Sequence, residues 1–315
     1  MKTNILLVCI LLFIAISACS NQRYNAESDF EIRIVDNKTI TIIGYNGQNT
    51  SVNIPPKIKR LPVTVIDENA FRNKGLTSII IPNSVTVIGE NAFSDNHIAN
   101  ITFPNSAIEI RSDAFANNQL ANITIPQSWT EIGPGVFANN LLTNITIPDS
   151  VTVIGWGAFA NNQLTNITLP TKSINIKHNA FAYNQLVNIN IPFDLLTNDL
   201  LDRGAFRGNG IEKINIPGKV NMIDERLNGT WVFRQGSTSL REIFNNGIFE
   251  YSYSYGYHGD RYSGYYFSID DKLIRVCTNG VLFDRVSTSR GAIEIFHYSI
   301  NGNILTLGEQ TYIKQ

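Results

Sequence analysis

Cysteine is nearly absent. The 315-residue chain has three, Cys9, Cys19 and Cys277. The first two lie in or beside an apolar leader, so the mature body keeps one thiol and no intramolecular disulfide is possible, although export would permit one. Cys277 sits in the strand-like run Leu273–Cys277 and reads as a small core residue. Histidine is scarce too. His97, His178, His258 and His297 are scattered, and no pair has metal-ligand spacing. Glu294 and His297, three apart on a strand, fall on opposite faces. The sequence contains no Cys-x-x-Cys, His-Glu-x-x-His or Gly-x-Ser-x-Gly. Gly133-Pro134-Gly135 and Gly155-Trp156-Gly157 lack the Lys-Ser/Thr of a phosphate loop. Charged residues are only 16 % and the formal net charge is −1, which suits neither a nucleic-acid binder nor an acidic tail. The expectation is a protein that is not an enzyme and needs no metal or cofactor.

What is present is a period. Pro82, Pro104, Pro126, Pro148, Pro170 and Pro192 recur every 22 residues, each closing an Ile-x-Ile-like phrase. Phe93, Phe115, Phe137, Phe159 and Phe181 follow eleven residues after successive prolines, and Phe71 and Phe206 extend the series to seven. The last step is 25 residues, because Asp199–Arg203 holds an insertion. A fixed period of this length means a solenoid of stacked turns, which presents a broad surface rather than a pocket.

Each apolar position has a structural duty. In Ile145-Thr146-Ile147 the two Ile point into the coil and the Thr points out. Pro148 cannot donate to a ladder, so it turns the chain. Ser150–Ile154 forms a second short strand-like run, stopped by Gly155, and the Ala-Phe pair drives a ring beneath the turn. Two Asn columns run alongside: Asn96, Asn118, Asn140, Asn162, Asn184 and Asn209, three after each Phe, and Asn100, Asn122, Asn144, Asn166 and Asn188, before the Ile strand. Asn at a bend bonds backbone groups, tolerates left-handed geometry and can bond its own stacked copies. Four members head Asn-Ile-Thr triplets, formally glycosylation acceptors, which the repeat explains without glycans. Thr102, Thr124, Thr146 and Thr168 form an outward row, a flat uncharged surface that is either a docking face or a solvated one. Trp129 and Trp156 depart from the repeat. Trp129 occupies a core column and reads as a bulky filler with partner binding as the alternative; Trp156, with no core duty, is the stronger candidate for a partner contact.

The phrase Ile-Pro-x-Ser-Val-Thr-Val-Ile-Gly-x-x-Ala-Phe resembles the BspA-type leucine-rich repeat family of bacterial surface proteins, over about residues 30–217. The opening, with Phe30–Val35, a turn at Asp36-Asn37 and Thr39–Ile43, resembles the hairpin that caps the first turn in that family. Relatives often carry Cys shortly after the Phe, where this chain has Asn. The resemblance implies adhesion or binding to other proteins at the cell surface, without catalysis and without shared functional residues to transfer.

The N-terminus reads as a targeting segment. Lys2 precedes the apolar run Ile5–Ile16, which is short for a membrane span. It ends in Ile16-Ser17-Ala18-Cys19, which resembles the lipobox of bacterial lipoproteins, with Cys19 acylated as the first mature residue. The expected organisation is a signal peptide over 1–18, a polar tether over 19–29, the solenoid with its cap over 30–217 and a linker over 218–226.

Beyond 226 the composition changes. Turn signals at Asn245-Asn246-Gly247, Asp270-Asp271, Asn279-Gly280 and Asn301-Gly302 separate short apolar runs, as hairpins require. About eight strands in an antiparallel meander, curled into a small barrel, are expected over 227–315. Gly229-Thr230-Trp231 resembles the opening of lipocalin-like domains. Tyr251, Tyr253, Tyr255 and Tyr257 alternate along one strand, either inward as a cavity wall for a small hydrophobic ligand or outward as a binding strip.

The fold expectation is therefore mainly β: a leucine-rich repeat solenoid of about seven 22-residue turns, an N-terminal capping hairpin, then a small antiparallel barrel or meander. The functional expectation is a lipid-anchored protein of the bacterial cell envelope, at the outer membrane or cell surface rather than the inner membrane. It binds a macromolecular partner, a protein and not nucleic acid, with adhesion to a host or matrix protein as one such role. The alternative is a lipoprotein that holds a small hydrophobic ligand in its C-terminal barrel.

Overall fold

A computed structural model describes residues 24–106, 108–192, 195, 200–202, 204–211 and 213–215, and the strands between Gly229 and Lys314. The signal-peptide reading and Cys19 lie outside the described residues. Apart from one 3-10 turn at Glu27–Asp29, the named elements are all strands.

The coil begins with a cap. Strand β1 (Phe30–Val35) pairs antiparallel with β2 (Thr39–Tyr45) through a turn in which Asp36 and Asn37 have φ of 50° and 53°. Two successive left-handed residues match the twist of a tight hairpin, and Asp and Asn tolerate that geometry. β2 then pairs parallel with Leu61–Ile66, which passes the ladder to Val87–Ile88 and Glu109–Ile110. β1 is the outermost layer of the stack, as the expected capping hairpin requires.

Most 22-residue turns contribute one strand to each of two parallel ladders. On the Asn-Ile-Thr side Ser51–Asn53, Ser78–Ile80 and Asn100–Thr102 pair in sequence, and later Asn144–Thr146 with Asn166–Thr168 and Asn188–Asn190 with Lys213–Asn215. On the other side Glu131–Ile132, Val153–Ile154 and Asn175–Ile176 continue the pattern. Between the ladders lies one continuous core. Its spine is a column of rings, Phe71, Phe93, Phe115, Phe137, Phe159, Phe181 and Phe206, stacked with centroids 5.0 to 6.0 Å apart. Tyr45, stacked on Phe71 at 5.4 Å, and Phe30, edge-on at 6.3 Å, close the column at the cap. The solenoid has about six turns rather than seven, because seven rings bound six repeat steps.

Both ladders lapse between the turns of Phe115 and Phe137, and the Asn-Ile-Thr ladder is broken again between Asn166–Thr168 and Asn188–Asn190. Residues 121–126 form no strand, and Glu109–Ile110 does not pair with Glu131–Ile132. Here Phe103 stands in a column otherwise held mostly by Ile, and its ring meets Trp129 edge-on at 5.0 Å. Two large rings on adjacent turns wedge the backbone apart, and Phe115–Phe137 is correspondingly the widest step of the spine at 6.0 Å. The turns stay joined on the Phe side, where Asp113, Phe115 and Asn117 N–H groups still bond Pro134, Val136 and Ala138 carbonyls at 2.9 to 3.0 Å.

Further along, eight strands pair as an antiparallel meander whose path returns on itself. Gly229–Gln235, Thr238–Asn245, Ile248–Tyr255, His258–Ile269, Lys272–Leu282, Ile293–Asn301, Ile304–Leu307 and Gln310–Lys314 follow in order, and the last pairs with the first. A short strand, Arg285–Val286, hangs on Leu282.

Candidate partner-binding surface

The polar columns divide into a structural set and a displayed set. Asn96, Asn118, Asn140, Asn162, Asn184 and Asn209 are buried. In each, Oδ1 accepts a backbone N–H from the preceding turn at 2.9 to 3.0 Å. Each Nδ2 donates to the Phe carbonyl of its own turn and to the Phe carbonyl of the turn before. This column is a rivet, and it is withdrawn from any partner. The outer Asn column is exposed, and there stacked copies bond one another, as Asn166 Nδ2 does to Asn144 Oδ1 at 3.3 Å.

Left-handed geometry falls elsewhere than the sequence suggested. It occupies the residue before each buried Asn (Asp95, Asn117, Asn139, Asn161, Tyr183 and Gly208), with Asn73 in the corresponding place on the first turn, and a second position two before each Phe (Asn69, Asn91, Asp113, Gly135, Gly157, Asn179 and Gly204). Asn, Asp and Gly fill both columns for steric reasons. Tyr183 is the exception. At φ 56° it holds a bulky aromatic where a smaller side chain fits, it is 41 % exposed, and its ring covers the place a side chain at Gly208 would need. Its backbone is nonetheless fixed, with the N–H donating to Arg207 O at 2.7 Å.

Trp156 is presented in a similar way. Its indole is 65 % exposed while its carbonyl accepts from Gly135 N–H at 2.8 Å. The flanking glycines have separate duties: a Cβ at Gly155 would lie 2.6 Å from Pro134 N, and Gly157 sits at φ +61°. The result is a large aromatic side chain on a backbone locked into the ladder. Trp129, by contrast, is only 2 % exposed and stacked on Phe137, so it belongs to the core and offers no surface. Its Nε1 is buried without a hydrogen-bond partner among the described residues. The Thr row, Thr102, Thr124, Thr146 and Thr168, is exposed, and Thr146 pairs in register with Thr168. Leu141 and Val187 add exposed apolar side chains to the later turns.

The electrostatics are mild. The Arg72 guanidinium, 2.8 Å from Asp95, and the Asn117 amide hold the Asp95 carboxyl below its ordinary range. Burial and the neighbouring Glu90 push Asp113 up. Asp113 takes the space beside Gly135 that a side chain there would fill. Among the described residues no group of three His, Cys, Asp or Glu is placed to hold a metal ion, and no helix is long and apolar enough to cross a membrane. Tyr251, Tyr253 and Tyr255 fall on the strand Ile248–Tyr255, in register with Tyr262, Asp260 and His258 of the next strand, while Tyr257 lies outside the described residues.

Residues 64–187 and 110–234 match the sequence family described as BspA type leucine rich repeat region, in six copies. Among solved structures, a leucine rich repeat protein of T. pallidum is 26 % identical, with 61 % of this chain and 82 % of that chain covered and a TM-score of 0.45. A leucine rich cell surface protein from Faecalibacterium prausnitzii A2-165 is 20 % identical, covering 65 % and 79 %, with a TM-score of 0.33. The pneumococcal vaccine antigen PcpA is 21 % identical, covering 60 % and 48 %, with a TM-score of 0.37. No curated protein gives a significant match.

Proposed function

Since the chain belongs to the BspA-type leucine-rich repeat family, we propose that it is an exported, lipid-anchored protein whose coil binds a macromolecular partner at the cell envelope, in adhesion to a host or matrix protein. The observation that carries this reading is Trp156, two-thirds exposed on a backbone held by the ladder. Large aromatics that lose little freedom on binding are the residues on which interfaces concentrate their energy. Tyr183, Leu141 and Val187 share the later turns with it, and the exposed Thr row adds an uncharged flat face on the Asn-Ile-Thr side. Binding here uses shape and neutral polar groups, with no cofactor and no catalytic step.

The test measures the Cys19→Ala full-length chain against immobilised collagen, fibronectin and laminin, beside its Trp156→Ala derivative. Saturable binding that weakens about thirtyfold with Trp156→Ala, as loss of roughly 2 kcal/mol implies, supports the reading. Undiminished binding by Trp156→Ala removes the tryptophan from the interface.

A second reading rests on the closed strand path of the C-terminal meander. An eight-stranded barrel either fills its interior with side chains or holds one small ligand. A lipocalin-like unit over 227–315, with Tyr251, Tyr253, Tyr255 and Tyr257 as its wall, would take a small hydrophobic molecule. Saturable uptake of an apolar fluorescent probe by the full chain favours it, and absence of uptake refutes it.

A further inference from the structure

Among the described residues, exposed large apolar side chains fall in two bands along the coil. Leu141, Trp156, Tyr183 and Val187 lie on the later turns, and Tyr24, Ile34 and Val35 lie at the cap. The second band lies at the cap end of the stack, where β1 is the last strand of its sheet among the described residues. Ile34 stands opposite the core residue Ile40 and Val35 opposite Thr39, yet both side chains remain exposed.

The length of chain leading to this end says what covers it. Asn25 is already fixed: its N–H donates to Asn53 O at 3.0 Å, its Oδ1 accepts from Asn53 N–H at 2.9 Å, and its Nδ2 reaches Tyr45 Oη at 3.3 Å. Only five residues, 20–24, separate Cys19 from this fixed position. Fully extended, the steps from Cys19 to Asn25 span roughly 20 Å at about 3.3–3.6 Å per residue. An acyl group on Cys19 lies among lipid chains, so the cap cannot stand far from the headgroups. The later turns lie several strand spacings of about 4.8 Å further along the axis.

We infer that the N-terminal end of the coil, with Tyr24, Ile34 and Val35, rests on the lipid surface and holds the coil so that its later turns point away from the membrane. This rests on the lipid-anchor reading above. Tyr suits the headgroup level, where its ring is half apolar and its hydroxyl stays wet. Ile34 and Val35 gain by leaving water, and the edge of β1 is shielded from pairing with other strands. The Trp156 surface is thereby carried outward.

The test uses the acylated full chain on phosphatidylethanolamine–phosphatidylglycerol vesicles containing a headgroup-nitroxide lipid. A fluorophore is placed at Val35→Cys or at Val187→Cys in a Cys277→Ser background. Quenching at 35 and none at 187 is expected. An acylated protein unquenched at 35, or quenched equally at both sites, overturns the orientation. Absence of the acyl mass overturns the anchor reading and the orientation with it. Hydrogen exchange on the unsubstituted chain gives a second measure: β1 amides should be protected on vesicles and not in the Cys19→Ala protein. Protection that instead rises with protein concentration in Cys19→Ala, without vesicles, would assign the β1 edge to a second copy of the chain and overturn the inference.

Discussion

Leu120 and Asn140 are twenty residues apart, and the Leu120 N–H donates to Asn140 Oδ1 at 3.0 Å. The same side chain donates from Nδ2 to Phe115 O at 3.0 Å and Phe137 O at 3.3 Å, so one buried amide joins two turns of the coil. Asn140→Leu leaves those backbone groups without partners in a dry site and should cost about 3 kcal/mol. Asn140→Asp keeps the acceptor but sets a carboxylate against two carbonyls, and should be no milder. The exposed Asn144→Leu should change stability by less than about 0.5 kcal/mol. Urea unfolding of the three variants checks the order.

The ring spine makes a companion prediction. Phe137→Ala empties the space between Phe115 and Phe159 and should cost about 3–5 kcal/mol. Each turn contacts mainly its neighbours, so hydrogen exchange should rise first in the adjoining turns rather than throughout the coil.

Tyr183 should show opposed effects on stability and binding. Asn occupies its column at 117, 139 and 161, and a left-handed bulky residue costs roughly 1–2 kcal/mol. Tyr183→Asn should therefore raise the melting temperature while weakening partner binding. A variant that melts lower would show that the ring contributes more against Gly208 than the backbone costs.

Two acids should titrate with opposite sign. Asp113 has its folded pKa raised by burial and Glu90, so the folded state binds its proton more tightly than the unfolded chain does. Its ionisation costs stability above that pKa, and the cost vanishes below the unfolded value. Asp113→Asn, which restores the residue found at Asn91 and Asn179, should stabilise at neutral pH by under about 1 kcal/mol, and the gain should fade on acidification. Asp95 has its pKa lowered by Arg72 and Asn117, so it stabilises above its unfolded pKa and loses that as pH falls through the folded value. Thermal melts from pH 7 downward separate the two.

The repeat was legible because each of its columns has one physical duty. Phe, Ile-x-Ile, Pro and the capping hairpin all stand where the period places them, and the buried Asn bonds backbone as a bend residue should. The left-handed columns were harder to find, since Asn91, Asp113, Gly135 and Gly157 share a backbone angle rather than a side-chain property. The shared lapse of both ladders beside Phe115 depends on Phe103 meeting Trp129, two departures 26 residues apart in sequence that become neighbours only when the turns stack. Trp156 was readable as a residue without core duty and Tyr183 as an added aromatic, but the left-handed backbone of Tyr183 left no mark in the sequence.

Exposure on intact cells decides whether the coil meets partners outside. Protease shaving followed by blotting for this chain reads it in one step. Loss of the chain while a periplasmic control survives is the expected result. Protection until the envelope is permeabilised would contradict surface adhesion and leave ligand holding as the stronger role.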